Sequence, residues 1–481
     1  MMESIWSRET NIEPRKPLYG DKRVNTVIIG GGLAGILTAY RLKQKGIEAI
    51  VLEASRIGSG QTKNTTAKIT SQHGAVYHKL IKTFGKEKAE LYARGNEQAI
   101  GEFRRIINEN QIDCCFEELP ACLYTNSQPR LLEDEARAAQ SLGISARLTK
   151  ETPLPFEAAG ALYFDGQAQF HPLKFLEAIA REVTIYEQTR VLSVEENSVV
   201  TADGMVVKAD HIVFATHYPF INVPGYYFAR MHQKRSYVLA LENAQPLSGM
   251  FLGIDEDGLS FRNAGGLLLL GGGGHRTGEH SAGGSYKTLR QKAKEFWPES
   301  AETAHWSAQD CIPADGVPYI GRYASSTPNW YVATGFNKWG MTSSMLSAQI
   351  ITGLITREES PYTEIFSPQR SASPPGAKSV LAEGLQAVKG LSKELFHIPK
   401  TEIDMLPAGH GGVVDCNGEK VGVYKDEQGE TYLVPTRCPH LGCQLEWNPD
   451  ELSWDCPCHG SRFDYKGNLI DNPAQEDIGH A

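Results

Sequence analysis

The chain has 481 residues, 41% of them hydrophobic and 22% charged; with no long biased tract, this excludes a disordered or fibrous protein and calls for two to four domains rather than one core. The net charge is -9 overall, but residues 401–481 hold 15 acids and 5 bases (-10), whereas the first 400 hold 42 acids and 43 bases (+1). An acidic closing domain repels nucleic acid and suits a basic protein partner, besides serving as solvated surface.

Residues 1–22 are polar and contain Pro14 and Pro17, without the apolar core of a secretory signal. No apolar run is long enough to span a bilayer, so the expected location is the cytoplasm. Asn25 to Gly30 is a β-branched apolar run, Leu33 to Lys45 carries apolar residues at helical spacing, and Glu48 to Glu53 is a second buried-strand pattern. Together they predict a βαβ unit. Gly30-x-Gly32-x-x-Gly35 falls between its first strand and its helix, and Glu53 ends its second strand. The first glycine allows a sharp turn, the second lets a pyrophosphate approach the backbone at the helix N-terminus, and the third lets helix pack on strand. Glu53 can then accept hydrogen bonds from a ribose, which predicts dinucleotide binding without choosing between FAD and NAD.

A polar loop follows from Gly58 to Lys68, then a helical pattern from Val76 to Ile106. Short strands are predicted at Cys122–Thr125, Ala161–Phe164, Val183–Tyr186 and Val206–Thr216, and an antiparallel meander between Ser236 and Gly274. Trp330 to Thr334 reads as another buried strand, and Met341 to Ile355 as a helix. Ser367 to Lys378, with paired prolines, has linker composition. Val380, Leu381, Leu385, Val388, Leu391 and Leu395 then recur at the spacing of a connecting amphipathic helix. Beyond Gly411, short strands and turns such as Asn417-Gly418 predict a small all-β unit.

Four of the nine cysteines crowd between Cys438 and Cys458. Cys438-Pro439-His440 and Cys456-Pro457-Cys458-His459 supply two Cys-His pairs, and thiolates on one iron with imidazoles on the other is the ligand set of a Rieske [2Fe-2S] centre. Structural zinc is the alternative, although this spacing is unusual for it. The loops CPHLGC and CPCHGS resemble the Rieske proteins of cytochrome bc-type complexes. That resemblance implies metal ligation by Cys438, His440, Cys456 and His459, a disulfide between Cys443 and Cys458, and a hydroxyl from Ser461 on cluster sulfur. Phe463 stands where many such proteins have tyrosine; the missing phenol donor leaves the reduced cluster less stabilised and predicts a potential below theirs.

The fingerprint, Gly58 to Lys68, the run Ala215-Thr216-His217, Asp315-Gly316-x-Pro318-x-Ile320-Gly321 and YVATGFNKWGMT (Tyr331 to Thr342) resemble the D-amino-acid oxidase/glycine oxidase superfamily over about residues 20 to 357. The resemblance implies an α/β Rossmann-like FAD-binding domain (segments about 20–80, 168–217 and 310–357) interleaved with an antiparallel-sheet α+β substrate domain (about 85–165 and 218–309). A linker with its helix (366–400) and an all-β Rieske domain (401–481) complete the expected architecture. It also implies FAD contacts from Gly30, Gly32, Gly35, Glu53, Ala54, Arg56, Gly60, Thr62, Val191, Thr216, Gly335, Trp339, Gly340, Met341 and Thr342.

Thr342 stands where some members place a lysine, which puts a carboxylated amine substrate in doubt. Arg230, Arg235, Arg262 and Arg276 are alternative anchors, though each suits a structural role better. His73 and His217 border the expected flavin position as ordinary hydrogen-bonded neighbours. His275 and His280 have an iron-like spacing but lack a carboxylate partner, so they read as a loop coincidence. No catalytic acid or base is legible. The combination resembles fused FAD-dependent Rieske oxidoreductases. It implies oxidation of a small amine, imine or amino-acid-like substrate, with electrons leaving through the cluster to a protein docked at an exposed histidine edge. The alternatives are current reversed from an external reductase, for substrate reduction or oxygenation, and a noncatalytic redox sensor.

Overall fold

A computed structural model describes residues 3–358, 360–370, 406–416 and 419–479. The expected linker helix and the Asn417-Gly418 turn lie outside the described residues.

The fold starts from Lys22–Ile29, whose Val27 and Ile28 are fully buried. Each such side chain is worth about 1.5–3 kcal/mol when buried, which places this apolar strand at the centre of a sheet. It pairs in parallel with Ala49–Leu52 on one side and Val206–Phe214 on the other, with Ile29 opposite Leu52 and Phe214. The sheet runs Val191–Glu195, Ser198–Thr201, Val206–Phe214, Lys22–Ile29, Ala49–Leu52, Thr184–Tyr186, with Thr327–Thr334 also joined to Val206–Phe214 and Tyr319–Ala324 to Thr327–Thr334. Helix Leu33–Gln44 packs on this sheet and against helix Gly340–Thr356. Most residues of both helices are buried, as expected of helices between layers. The helical stretch after Val76 divides into Tyr77–Phe84 and Lys86–Glu109, because Gly85 adopts φ +84° and breaks the first helix.

A second eight-stranded sheet carries the meander. Its order is Ala301–Pro313, Met231–Glu242, Leu267–Arg276, Ser260–Ala264, Met250–Gly253, Ala121–Thr125, Gly160–Phe164, Ala146–Thr149. All of its neighbours are antiparallel except Met250–Gly253 beside Ala121–Thr125, which run parallel. Ala301–Pro313 was not legible as a strand: it mixes acids, histidine and glutamine with small residues. Its register along Met231–Glu242, from Ala301 opposite Glu242 to Pro313 opposite Met231, makes it one. It also runs unbroken through the expected segment boundary at 309/310.

The C-terminal unit is all-β, with a three-stranded sheet (His410–Cys416, Glu419–Lys425, Thr431–Pro435) and a four-stranded one (Glu446–Asn448, Ser453–Asp455, Arg462–Asp464, Leu469–Asp471). Its core gathers Trp447, Trp454, Leu445 and Phe463 around four cysteines. Among the described residues no helix is long and apolar enough to cross a membrane.

Candidate functional site

The glycine fingerprint builds the floor of a cavity of about 1000 Å³. A Cβ at Gly30 would meet the Ala215 carbonyl oxygen at 2.4 Å, and one at Gly35 would meet the Gly30 carbonyl at 2.0 Å; only glycine lets strand, turn and helix close up here. Gly32 caps helix Leu33–Gln44 without a side chain, so the first helical amides face the cavity. Glu53 accepts from the amides of Gly31 (2.6 Å) and Ser55 (2.8 Å). Burial raises its pKa in spite of these bonds.

Of the expected flavin contacts, Gly30, Gly32, Glu53, Ala54, Gly60, Thr62, Val191, Thr216, Trp339, Gly340 and Met341 are brought together around this cavity. Thr62 also bonds the amide of Leu33 through its hydroxyl, at 3.1 Å. A dinucleotide fits this set, with a carboxylate at a strand end, a helix N-terminus capped only by glycine and the Thr62 hydroxyl, and a wall of small residues. Four expected contacts stand elsewhere. Gly35 serves helix packing, and Arg56 turns away to Glu187 (2.9 Å). Gly335 lies against Pro313, and Thr342 is bonded to Thr70 and His73 beneath Trp339.

His73 is a buttress. Its Nδ1 meets the Tyr92 hydroxyl at 2.7 Å, its Nε2 meets the Thr70 carbonyl at 2.7 Å, and its ring stacks on Trp339 at 4.8 Å. Burial pushes it down to about 3, so it stays neutral. His217 does line the cavity. His275 and His280 pack together as tilted rings, 4.5 Å between centroids, and no metal-binding group of three forms around them among the described residues.

None of the four candidate arginines is available to a substrate. Arg230 donates to Pro368 and Gly225, and Arg262 to the carbonyls of Thr66, Ala67 and Asn263. Arg276 donates to Pro457 and Cys458. Arg235, although it borders the cavity, is held by Glu451 with Nε–Oε2 at 3.0 Å and Nη2–Oε2 at 2.6 Å. The side chains that sequence reasoning missed are Lys68 and Asp310. Burial lowers Lys68 to about 7 while it donates to the Phe251 carbonyl and Ser260 Oγ, and Asp310 comes from the unrecognised strand. The alternation Trp306, Ala308, Asp310 on one face of that strand is the signal that could have found the acid.

In the C-terminal domain, two loops converge. Cys438 and Cys456 are close enough for their thiols to hydrogen-bond, and the rings of His440 and His459 stand perpendicular with centroids 4.9 Å apart. The Nδ1 of His440 is buried without a hydrogen-bond partner. Two adjacent thiols facing two convergent imidazoles, one with an orphaned ring nitrogen, fit a two-iron cluster. Cys443 and Cys458 are joined by a disulfide. Ser461, fully buried, lies with its hydroxyl beside Cys438 and accepts from the Ala474 amide at 3.0 Å.

The histidine edge is partly covered, contrary to the expectation of a free docking edge: His459 is buried and His440 half-buried. His459 is 2% exposed and packs edge-on against Phe228 at 5.9 Å. His440 meets Asn222 Oδ1 through Nε2 at 2.8 Å. Both partners belong to the N-terminal part of the chain, which covers this edge because its loops fit it closely. A Cβ at Gly460 would stand 2.7 Å from that of Gln233, and one at Gly278 would lie 2.6 Å from the Pro457 nitrogen.

A buried strut crosses the same interface. Gln233 donates to the carbonyls of His459 (2.8 Å) and Asn472 (3.1 Å) and accepts from Gln309 (2.8 Å), which also donates to Gly460. Asn472 in turn donates to Thr216 and Tyr218. Leu469 to Asn472, Ala474 and Gln475 form part of the cavity wall itself.

The sequence model of the family described as FAD dependent oxidoreductase (DAO) matches residues 25–354, and that of the Rieske [2Fe-2S] domain matches residues 398–480. The chain is 38% identical over 488 aligned residues to YhfW of Bacillus subtilis, named for a Rieske 2Fe-2S iron-sulfur protein, covering 98% of this chain and 96% of that one. It is 31% identical over 134 residues to the cytochrome b6-f complex iron-sulfur subunit of Synechococcus elongatus, 27% of this chain and 69% of that one. Its fold is similar to glycine oxidase from Geobacillus kaustophilus (TM-score 0.60, 18% identity, 73% of this chain and 99% of that one). It is also similar to L-proline dehydrogenase from P. horikoshii (TM-score 0.61, 17% identity, 72% and 97%).

Proposed function

Because the chain belongs to the family of FAD-dependent oxidoreductases and closes with a Rieske [2Fe-2S] domain, we propose that it oxidises a small amine or amino-acid-like compound and delivers the electrons through the cluster to an external acceptor. Its cofactors are FAD and a Rieske-type [2Fe-2S] cluster. When bound, the flavin takes up a hydride and the cluster carries electrons singly, so that a two-electron oxidation feeds a one-electron acceptor.

The chain's own side chains hold these groups. The amides after Gly32 would face the pyrophosphate, Glu53 the ribose, and Trp339, Gly340 and Met341 the ring system. Cys438 and Cys456 would hold one iron, His440 and His459 the other. Burial of His73 against Trp339 backs the cavity wall with a neutral, rigid ring whose charge does not change near neutral pH.

The observation that carries this reading is that the histidine edge faces the flavoprotein half. A cluster working only with a separate protein would present its imidazoles to solvent; here they are turned onto the flavoprotein half and tied through Gln233 and Asn472 to Thr216 on the cavity wall. The amine class is supported by the fold neighbours, named for glycine and proline. Anaerobic stopped-flow mixing with a panel of amines and amino acids tests it. Flavin bleaching followed by bleaching of the cluster bands is expected; bleaching of the flavin with the cluster left oxidised contradicts the proposal.

A further inference from the structure

Asp310 stands on the cavity wall with its carboxyl uncommitted. The pairing of Ala301–Pro313 with Met231–Glu242 sets Asp310 opposite Lys234, and the carbonyl of the next residue, Cys311, accepts from the Asn337 amide at 2.9 Å. Asp310 therefore stands beside the turn that leads to Trp339 and Met341, and all three line the same cavity. Four other acids there are engaged, Glu53 by two amides, Asp255 by Thr125 and Asn126, Glu451 by Arg235 and Asp471 by Arg462, while Glu256 on the lining is exposed to solvent and Glu3 lies at the start of the described chain. Asp310 makes no hydrogen bond and no ion pair among the described residues.

Half-buried, its carboxyl is pushed up to about 6 by burial, against the pull of Lys338 and Arg235. A poorly hydrated carboxylate with unused lone pairs gains most from a charged donor. Most groups that could seize a substrate carboxylate are, by contrast, occupied, Lys63 and the exposed Lys234 excepted. The four arginines are bonded elsewhere, the Lys68 Nζ is held by Phe251 and Ser260, and the Lys338 Nζ donates to Ser236 Oγ at 3.0 Å.

We infer that Asp310 anchors the ammonium group of the substrate, an assignment that rests on the amine-oxidising reading above. The site selects an amine by its positive charge, and a carboxylate on the same molecule is dispensable. An N–H···O bond to an ionised acid fixes the nitrogen, and with it the adjoining carbon, against the wall shared with Trp339.

Titration of the oxidised holoprotein with propylammonium, propan-1-ol and propionate, followed through the visible flavin band, tests the assignment. Wild type is expected to bind propylammonium about tenfold more tightly than propan-1-ol, the scale of one partly buried ion pair. Asp310→Asn abolishes that preference and Asp310→Glu keeps it. The preference fades as pH falls through about 6, where Asp310 protonates; the basic side chains that face it are Lys234 and Arg235 on the neighbouring strand and Lys338 on the turn. Equal behaviour of wild type and Asp310→Asn towards propylammonium, including no band shift in either, overturns the assignment, as does tighter binding of propionate. Normal flavin and cluster bands in Asp310→Asn establish that the variant folds. A wild-type protein isolated without flavin would instead sink the oxidoreductase reading, and calorimetric titration with the same three probes would still judge Asp310.

Discussion

The cluster loops, Cys438–Cys443 and Cys456–Ser461, are two tips of one small domain, whereas the flavin cavity draws its walls from segments as far apart as Ser4 and Gln475. A site of the first kind carries its geometry locally: the disulfide between Cys443 and Cys458 joins the loops, and Ser461 and Trp454 close around them. A site of the second kind depends on strand pairing across the chain and on the docking of the C-terminal domain, because Leu469 to Asn472 complete its wall. The comparison teaches that the two cofactor sites are separable in sequence and not in structure. Disturbing the docking surface should injure the flavin cavity while sparing the cluster loops.

The largest effect is expected at the buried ion-pair network that holds the domains together. Glu451 bonds Arg235 across the interface and lies 3.1 Å from Arg462, which also pairs with Asp455 (2.9 Å) and Asp471 (3.0 Å). Burial alone would raise the Glu451 pKa, but Arg235 and Arg462 outweigh it and hold the carboxyl at about 2, below its ordinary 4.5. The pair therefore stabilises the docked state fully above pH 4.5, and the contribution drains away as pH falls from there towards 2. Glu451→Gln leaves the Arg235 charge uncompensated at neutral pH and is expected to cost about 3–5 kcal/mol. The measurement is thermal unfolding together with limited proteolysis, which should free the C-terminal domain with its cluster colour intact. Replacing both partners, Arg235→Met with Glu451→Leu, should recover much of the loss. Wild-type stability in Glu451→Gln would show that the two sites do not lean on this network.

A smaller effect tests the strut. Gln233→Leu orphans the buried carbonyls of His459 and Asn472, at about 1–3 kcal/mol for each unsatisfied group. The flavin should still be reduced by dithionite at the wild-type rate, while reduction of the cluster by an amine lags further behind flavin bleaching. An unchanged interval between the two phases would mean that the strut holds the domains together without coupling them. The strut also marks where the sequence stops being informative. Cys438, His440, Cys456 and His459, and the run from Gly30 to Glu53, were legible because each chemistry sits within a few residues of itself. The helix Gly340–Thr356 was legible from its apolar run.

Gln233, Gln309, Asn222 and Asp310 were not legible, because nothing local distinguishes a buried glutamine from an exposed one. Their roles exist only after Met231–Glu242 pairs with Ala301–Pro313 and the C-terminal loops close on them. The partial cover over the expected free histidine edge was hidden for the same reason, since covering an edge takes a second domain. Two missed helices did carry a readable sign: Pro129–Ser141 and Pro172–Ala180 each begin with proline, which suits a first helical position.

The smallest effect concerns the cluster alone and sharpens the contrast from the other side. Phe463 is fully buried, pairs in register with Trp454 and shares a core with Cys438 and Cys456, so no phenol donor reaches the sulfur atoms from that position. The reduced cluster bears more negative charge than the oxidised one, and a hydrogen-bond donor stabilises it preferentially. Phe463→Tyr should therefore raise the midpoint potential by roughly 20–60 mV, the one-electron equivalent of a single net hydrogen bond. The flavin potential and the thermal stability of the docked protein should barely move. Redox titration followed by electron paramagnetic resonance for the cluster and by the visible band for the flavin reads both potentials in one sample, and thermal unfolding reads the stability. A fall in potential, or a change in the flavin as large as that in the cluster, would mean that Phe463 acts through packing shared by both halves; the cluster site would then be no more self-contained than the cavity it faces.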